Sequence, residues 1–171
     1  MVDLEDVTIR TATVADAADI AQVHVASWRE AYAGIVPADY LAALDAEERR
    51  ALWERALARG EITTWLAVVD SRTVGFATLG PRRDEDAEPG DLEIYAMYLD
   101  PEAWGRGVAR DLMRHSLAEV PDGASLSLWV LGDNDRAQRF YRRHGFAPDG
   151  VERMEEYGDT YLVEVRYLRA K

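Results

Sequence analysis

Leu92-Glu93-Ile94-Tyr95-Ala96-Met97-Tyr98-Leu99-Asp100-Pro101 runs directly into Glu102-Ala103-Trp104-Gly105-Arg106-Gly107-Val108-Ala109-Arg110. The first eight residues read as a strand stopped by Asp100-Pro101. A helix follows over about 107–119, with Ala109, Leu112, Met113, Ser116 and Val120 on one face. A strand that passes through a glycine-containing turn into a helix presents unpaired N–H groups, and the positive end of the helix dipole, to an anion. Gly105 and Gly107 let the backbone come close to phosphate oxygens, and Arg106 and Arg110 add charge where a pyrophosphate would lie. A Walker loop would need Gly-Lys-Ser/Thr, which is absent here. A dinucleotide fingerprint needs a third Gly or Ala where Arg110 stands, and it normally follows the first strand of its domain. On this stretch alone, a phosphate-binding turn and a tight turn with solvated arginines are both open.

Working outward, residues 125–131 read as a strand and 136–144 as a helix ending at Gly145, a candidate left-handed cap. Residues 154–168 are strand material broken around Gly158-Asp159. Upstream, 64–69 and 73–79 form a hairpin around Asp70-Ser71-Arg72, and 81–90 is a polar connecting loop. Residues 7–11 alternate as a first strand. Thr13-Val14-Ala15-Asp16 is a capping box, and Ala17, Ile20, Ala21, His24 and Trp28 recur at helical spacing. Pro37 suits the first turn of another helix, and 47–59 a charged surface helix. The order is mixed α/β, with a βαβα segment in the second half and no repeat or long linker, so one domain over 1–171 is expected.

With 20 basic and 32 acidic residues, the formal charge is 20 − 32 = −12. Such a surface disfavours nucleic acid as a partner and favours a cationic substrate, or simply solubility. The chain has no cysteine, so disulfides, thiolate metal sites and cysteine nucleophiles are excluded. His24, His115 and His144 lack metal-ligand spacing, so no metal is expected. No apolar run is long enough for a membrane span, and the acidic start lacks a targeting pattern. A cytoplasmic monomer or homodimer is the expectation.

Trp104-Gly105-Arg106-Gly107-Val108-Ala109 resembles motif A of the GNAT superfamily of N-acetyltransferases, Gln/Arg-x-x-Gly-x-Gly/Ala, with Trp104 replacing the usual Gln or Arg. A second stretch, Asn134-Asp135-Arg136-Ala137-Gln138-Arg139-Phe140-Tyr141-Arg142-Arg143-His144-Gly145-Phe146, resembles motif B, Asn-x-x-Ala-x-x-Phe-Tyr-x-x-x-Gly-Phe. The resemblance covers most of the chain and is densest from Leu92 to Phe146. It implies a mixed, mostly antiparallel sheet of six to seven strands flanked by helices, with a splayed parallel pair at the cofactor cleft. It implies acetyl-CoA as co-substrate, its pyrophosphate on Gly105, Arg106, Gly107, Val108, Ala109 and Arg110. The pantetheine would pair with Met97, Tyr98 and Leu99, Asn134 would bond near that arm, and Tyr141 would stand beside the sulfur. A core aromatic is the alternative role for Tyr141.

Acetyl transfer from a thioester needs a neutral amine, a polarised carbonyl and a protonated thiolate. Proximity would supply much of the rate, and a strand N–H between 94 and 99 could polarise the carbonyl. Tyr141, with a reference pKa of ~10, would protonate a thiolate whose parent thiol is near ~8.5. Glu93 is the first candidate base; by strict alternation it shares a face with Tyr95 and Met97. In ribosomal-protein alanine acetyltransferases a glutamate base lies on the strand of motif B, and Trp129 stands there in this chain. Trp28, Glu30 and Tyr32 would form an acceptor wall for a primary amine of a small molecule or a peptide N-terminus, or else an aromatic cluster with a solvated glutamate. Asp84, Glu85, Asp86 and Glu88 form an acidic loop near the cleft entrance, or only a solvated turn. A non-catalytic acyl-CoA sensor is the competing reading, and a dinucleotide-binding protein a third.

Overall fold

The structure is a computed structural model and describes residues 6–169. Seven strands build one sheet in the order β1-β2-β3-β4-β5-β7-β6: β1 (Thr8–Thr11), β2 (Thr63–Val69), β3 (Arg72–Pro81), β4 (Leu92–Leu99), β5 (Leu126–Leu131), β6 (Phe146–Tyr157) and β7 (Thr160–Arg169). Five helices flank it: α1 (Ala17–Ala31), α2 (Ala38–Ala42), α3 (Ala46–Ala58), α4 (Val108–Ala118) and α5 (Asp135–Arg143). All neighbouring strands are antiparallel except β4 and β5. The sheet is therefore the mixed, mostly antiparallel one expected from the sequence. Among the described residues no helix is long and apolar enough to cross a membrane.

The ends of the helices follow from local chemistry. Asp16 accepts the Thr13 N–H at 2.8 Å, as a capping box requires, and also takes both Arg10 terminal nitrogens at 2.8 and 3.0 Å, tying α1 to β1. Asp45 caps α3 by accepting from Glu47 and Glu48 N–H, and Asn134 caps α5 by accepting from Ala137 N–H at 3.2 Å. The apolar faces then sort to two sides of the sheet. On one side Leu112 and Met113 of α4, both fully buried, pack with Ile94, Leu126, Leu128 and Tyr167. Truncating either α4 residue to Ala would cost about 2–5 kcal/mol. On the other side Ile20 and Val23 of α1 meet Leu66 and Phe76, with Trp53 and Leu57 of α3 against them.

Two irregularities shape the middle of the sheet. Between Thr78 and Leu79 the β3–β4 register slips: Thr78 faces Ala96, Leu79 faces Ile94, and Tyr95 is the extra residue of a bulge. Strict alternation across Tyr95 therefore fails. Leu92, Ile94, Met97 and Leu99 pack toward α4, whereas Ala96 and Tyr98 pack toward α1 and α3. Met97 thus leaves the face that alternation assigned it with Glu93 and Tyr95. Second, β4 pairs with β5 only over Leu92–Ile94 against Leu126–Leu128, although β3 pairs with β4 as far as Leu99. Beyond Ile94 the two parallel strands part.

The C-terminal hairpin begins earlier than the sequence suggests. β6 starts at Phe146, immediately after Gly145, with a register irregularity between Pro148 and Glu152. Pro148 and Gly150 masked the strand pattern there. β7 then covers β5 along its whole length, so the hairpin forms one wall of the gap left by the parted strands.

Candidate active site

A cleft of about 1040 Å³ occupies that gap. Met97, Tyr98 and Leu99 of β4 line one edge and Trp129, Val130 and Leu131 of β5 the other. No β5 partner reaches the β4 backbone here, so its N–H and C=O groups can pair with an extended, amide-bearing ligand.

At one end stands the turn before α4. Gly105 and Gly107 have φ of +72° and +84°, in the left-handed region that disfavours side chains, and Gly107 is the N-cap of α4. The first intrahelical bond runs from Asp111 N–H to Gly107 C=O at 3.1 Å, so Val108, Ala109 and Arg110 N–H have no acceptor within the helix. Unlike α3 and α5, α4 has no capping side chain at all. Its N-terminus is left open to an external anion. Gly105, Gly107, Val108, Ala109 and Arg110 all line the cleft; the Arg106 side chain does not. Trp104, where the motif has Gln or Arg, is built into the turn instead: its indole N–H donates to Leu99 C=O at 3.1 Å, and the Arg136 guanidinium lies 4.2 Å from its ring centroid.

Tyr141 sits midway, on α5, with its ring against Phe140 and Phe146 at 5.5 and 5.9 Å. Burial, and then the nearby Tyr98 phenol, push its pKa well above the usual tyrosine value. It is therefore fully protonated at physiological pH and available as a hydrogen-bond donor. Asn134 also lines the cleft; its Oδ1 is committed to Ala137 N–H, which leaves its amide N–H₂ as the group that could reach a ligand.

The far end is aromatic and acidic. Trp28 meets Tyr32 at 4.8 Å, Tyr98 at 6.0 Å and Tyr157 at 6.1 Å between centroids. Trp28, Glu30 and Tyr32, from the end of α1, all line the cleft, with Glu30 exposed. Burial and the neighbouring Tyr98 raise the Tyr32 phenol far above its ordinary value. Behind this wall His24 stacks on Tyr98 at 5.2 Å, and its Nδ1 accepts the Trp53 indole N–H at 3.2 Å. Burial first, and Arg49 second, lower the His24 pKa to about 3, so the imidazole is neutral.

Glu93 lines the same cleft but is not free. It is 2% exposed, its Oε2 is 2.5 Å from the Arg83 guanidinium and its Oε1 accepts Arg83 N–H at 3.2 Å. Arg83 in turn stacks on Tyr95, 3.7 Å from the ring centroid. Two carboxylates of the acidic loop before β4 are likewise committed. Asp84 and Asp86 are held by Arg82 and by Arg166, itself nearly buried, and Asp84 also accepts the Trp129 indole N–H at 3.0 Å. Burial alone would raise Asp84, yet Arg82, Trp129 and Arg166 together hold its carboxyl below the usual range. Asp84 and Asp86 thus tie the loop to β7, while Glu85 and Glu88 stay exposed.

Residues 153–164 contribute groups that no motif pointed to. Arg153, Glu155, Tyr157 and Glu164 also line the cleft. Tyr157 donates to Glu164 at 3.3 Å, and Arg153 bonds the same carboxylate at 2.9 Å. Their signal in the sequence is only the alternation of 154–168.

One end presents the uncapped amides of α4, the other is aromatic and acidic, and an open strand edge lies between them. The comparisons with known proteins give the family. The model of the acetyltransferase (GNAT) family matches residues 25–146. An uncharacterized N-acetyltransferase of Bacillus subtilis, YuaI, is 37% identical over 131 residues, 75% of this chain and 73% of the relative. The peptidyl-lysine N-acetyltransferase YjaB of Escherichia coli is 30% identical over 112 residues, 64% of this chain and 67% of that one. Among solved structures, the PaiA N-acetyltransferase of Thermoplasma acidophilum in complex with coenzyme A shares the fold at TM-score 0.71 and 22% identity, over 93% of this chain and 98% of that one. The chain belongs to the GNAT acetyltransferase family: it is an N-acetyltransferase, with acetyl-CoA as co-substrate.

Proposed function

We propose that the protein transfers the acetyl group of acetyl-CoA to a primary amine, of a small molecule or a peptide N-terminus, by direct attack in a ternary complex. The observation that carries this reading is the parting of β4 from β5 beyond Ile94, with the uncapped α4 N-terminus at one end of the gap and Tyr141 beside its middle. The diphosphate rests on the amides of Val108, Ala109 and Arg110, and the pantetheine pairs with the open edge of Met97, Tyr98 and Leu99. The bulge at Tyr95 turns a strand N–H toward the thioester carbonyl, where it stabilises the developing oxyanion.

The amine nitrogen attacks the carbonyl carbon, the C–S bond breaks, and the departing thiolate, hydrogen-bonded by the Tyr141 phenol, takes up a proton from solvent. Because the phenol pKa is raised, full transfer is uphill against an ordinary thiolate. Tyr141 therefore works mainly by donating a strong hydrogen bond as charge builds on sulfur. The amine proton goes to Glu93, directly or through water. That role requires Arg83, more than half exposed, to give way to the incoming ammonium. A second route for the proton is supported by the Tyr157–Glu164 pair, which stands on the acceptor side of the same cleft.

Thiol release from acetyl-CoA, followed across polyamines, aminoglycosides, amino acids and short peptides, tests the reading. A lysine-bearing peptide belongs in the panel because one relative is named for peptidyl-lysine. Turnover with at least one amine class is expected. Tight binding of acetyl-CoA with no acceptor-dependent thiol release in any class would favour the sensor reading instead.

A further inference from the structure

Arg136 is placed against the local chemistry of its own helix. It is the second residue of α5, in the turn where the helix dipole is positive and a cation is unfavourable. It pairs with no carboxylate among the described residues, in a chain whose net charge is −12. Its guanidinium lies 4.2 Å from the centre of the Trp104 ring, and that ring is fixed by the bond from its indole N–H to Leu99 C=O. Trp104 opens the turn that carries Gly105 and Gly107, and both Arg136 and Trp104 line the cleft beside the α4 N-terminus. Arg139 and Arg143, at i+3 and i+7 along α5, line it as well, and neither makes an ion pair among the described residues. Three cations on one helix face, one of them clamped by an indole, line the cleft together.

Resting on the acetyl-CoA reading above, we infer that Arg136, aimed by Trp104, is a phosphate-binding residue for the nucleotide end of the donor, flanked by Arg139 and Arg143. The α4 N-terminus supplies backbone amides, which hold an anion but are blunt in selecting one. A planar guanidinium held on a ring offers paired N–H donors at a fixed angle, which suits a phosphate monoester or diphosphate. The protein thereby selects CoA thioesters over thioesters that lack the nucleotide, such as those of phosphopantetheine. Trp104 is a positioning residue: it orients the cation and touches no phosphate itself.

The test is the Kd for CoA, measured calorimetrically at low and moderate salt for the wild type, Arg136→Ala, Arg136→Lys and Trp104→Ala. Arg136→Ala is expected to weaken CoA about tenfold and to flatten the salt dependence, Arg136→Lys to recover part of that, and Trp104→Ala to lose less than Arg136→Ala. The melting temperature of ligand-free Arg136→Ala should equal or slightly exceed that of the wild type, because a cation leaves the positive end of a helix. 3′-Dephospho-CoA distinguishes the phosphates. If Arg136 holds the 3′-phosphate, this ligand binds the wild type more weakly and the variant no worse. If Arg136 holds the diphosphate, the variant loses the same factor on both ligands. CoA binding by Arg136→Ala within twofold of the wild type, or a ligand-free variant that melts several degrees lower, would overturn the inference. Failure of the wild type itself to bind CoA would overturn the acetyl-CoA reading beneath it.

Discussion

The two ends of the cleft are built from different materials, and the difference fits the two substrates proposed for them. At the α4 end the groups lining the cleft are backbone amides and arginines: Val108, Ala109 and Arg110 N–H, with Arg110, Arg136, Arg139 and Arg143. At the α1–β7 end they are rings and carboxylates: Trp28, Tyr32 and Tyr157, with Glu93, Glu155 and Glu164. An amide cradle is fixed by two glycines within one short turn, so a contiguous motif can encode it. The acceptor end draws on α1, β4, β6 and β7, segments up to 136 residues apart between Trp28 and Glu164. Rings and half-neutralised carboxylates also adapt to many amines, whereas the donor is always the same molecule. The first end is a fixed grip and the second an adjustable one.

The comparison can be broken at its junction. Tyr141→Phe should lower kcat about 10²–10³-fold, because a general acid is worth up to about 10⁴, while leaving the KM for acetyl-CoA within about threefold. A fall in acetyl-CoA affinity matching the fall in kcat would mean that Tyr141 belongs to the grip rather than to the chemistry.

The fold should lose stability in acid through His24. His24 is neutral in the fold with its pKa lowered to about 3, against about 6.5 in the unfolded chain, so below about 6.5 the unfolded state binds the proton that the fold refuses. The stability lost by this route is about 2 kcal/mol at pH 5, and it keeps growing until the pH reaches about 3. Urea unfolding at pH 8 and pH 5 should show that loss in the wild type, and a slope shallower by that amount in His24→Gln. Equal slopes would place the titrating group elsewhere.

At the donor end, Gly107→Ala forces a side chain into φ +84° with its Cβ 3.2 Å from the Arg110 guanidinium. A non-glycine residue in this region costs about 1–2 kcal/mol, so CoA affinity should fall about tenfold as the turn relaxes. Gly105→Ala meets no atom within 4 Å and carries only the backbone cost, so it should bind CoA better than Gly107→Ala. The reverse order would show that the Arg110 contact is harmless.

The smallest effect separates the two proton routes. Glu93→Gln should lower kcat/KM about tenfold, with the loss concentrated at low pH where free amine is scarcest. Glu164→Gln should leave the profile shape unchanged if Glu93 is the base. If the Glu164 variant alone shifts the profile, the proton leaves through Tyr157 and Glu164, and the Glu93–Arg83 pair is structural.

Much of this molecule could be read in order along the chain. The turn at Gly105–Gly107 depends on neighbours within a few residues, and the elements around it were visible as alternation and helical spacing. Trp129 was legible as an oddity, an indole where some relatives carry a base, but its bond to Asp84 was not, because 45 residues separate them. The bulge at Tyr95 escaped for a related reason. A bulge exists only relative to a partner strand, and no property of 92–99 alone announces that β3 will skip a residue. Strict alternation therefore sent Met97 to the wrong side.

By itself the sequence determined a mixed α/β fold, an anion-ready strand–turn–helix and an acetyl-CoA-binding family, since each rests on local periodicity and short motifs. Only the tertiary structure decided that Glu93 is clamped by Arg83, that Asp84 and Asp86 are held by Arg82 and Arg166, and that Arg153, Glu155, Tyr157 and Glu164 line the cleft. The physical reason is range. Backbone geometry is set by adjacent residues, but the state of a charge is set by whatever the folded chain brings within a few ångströms of it.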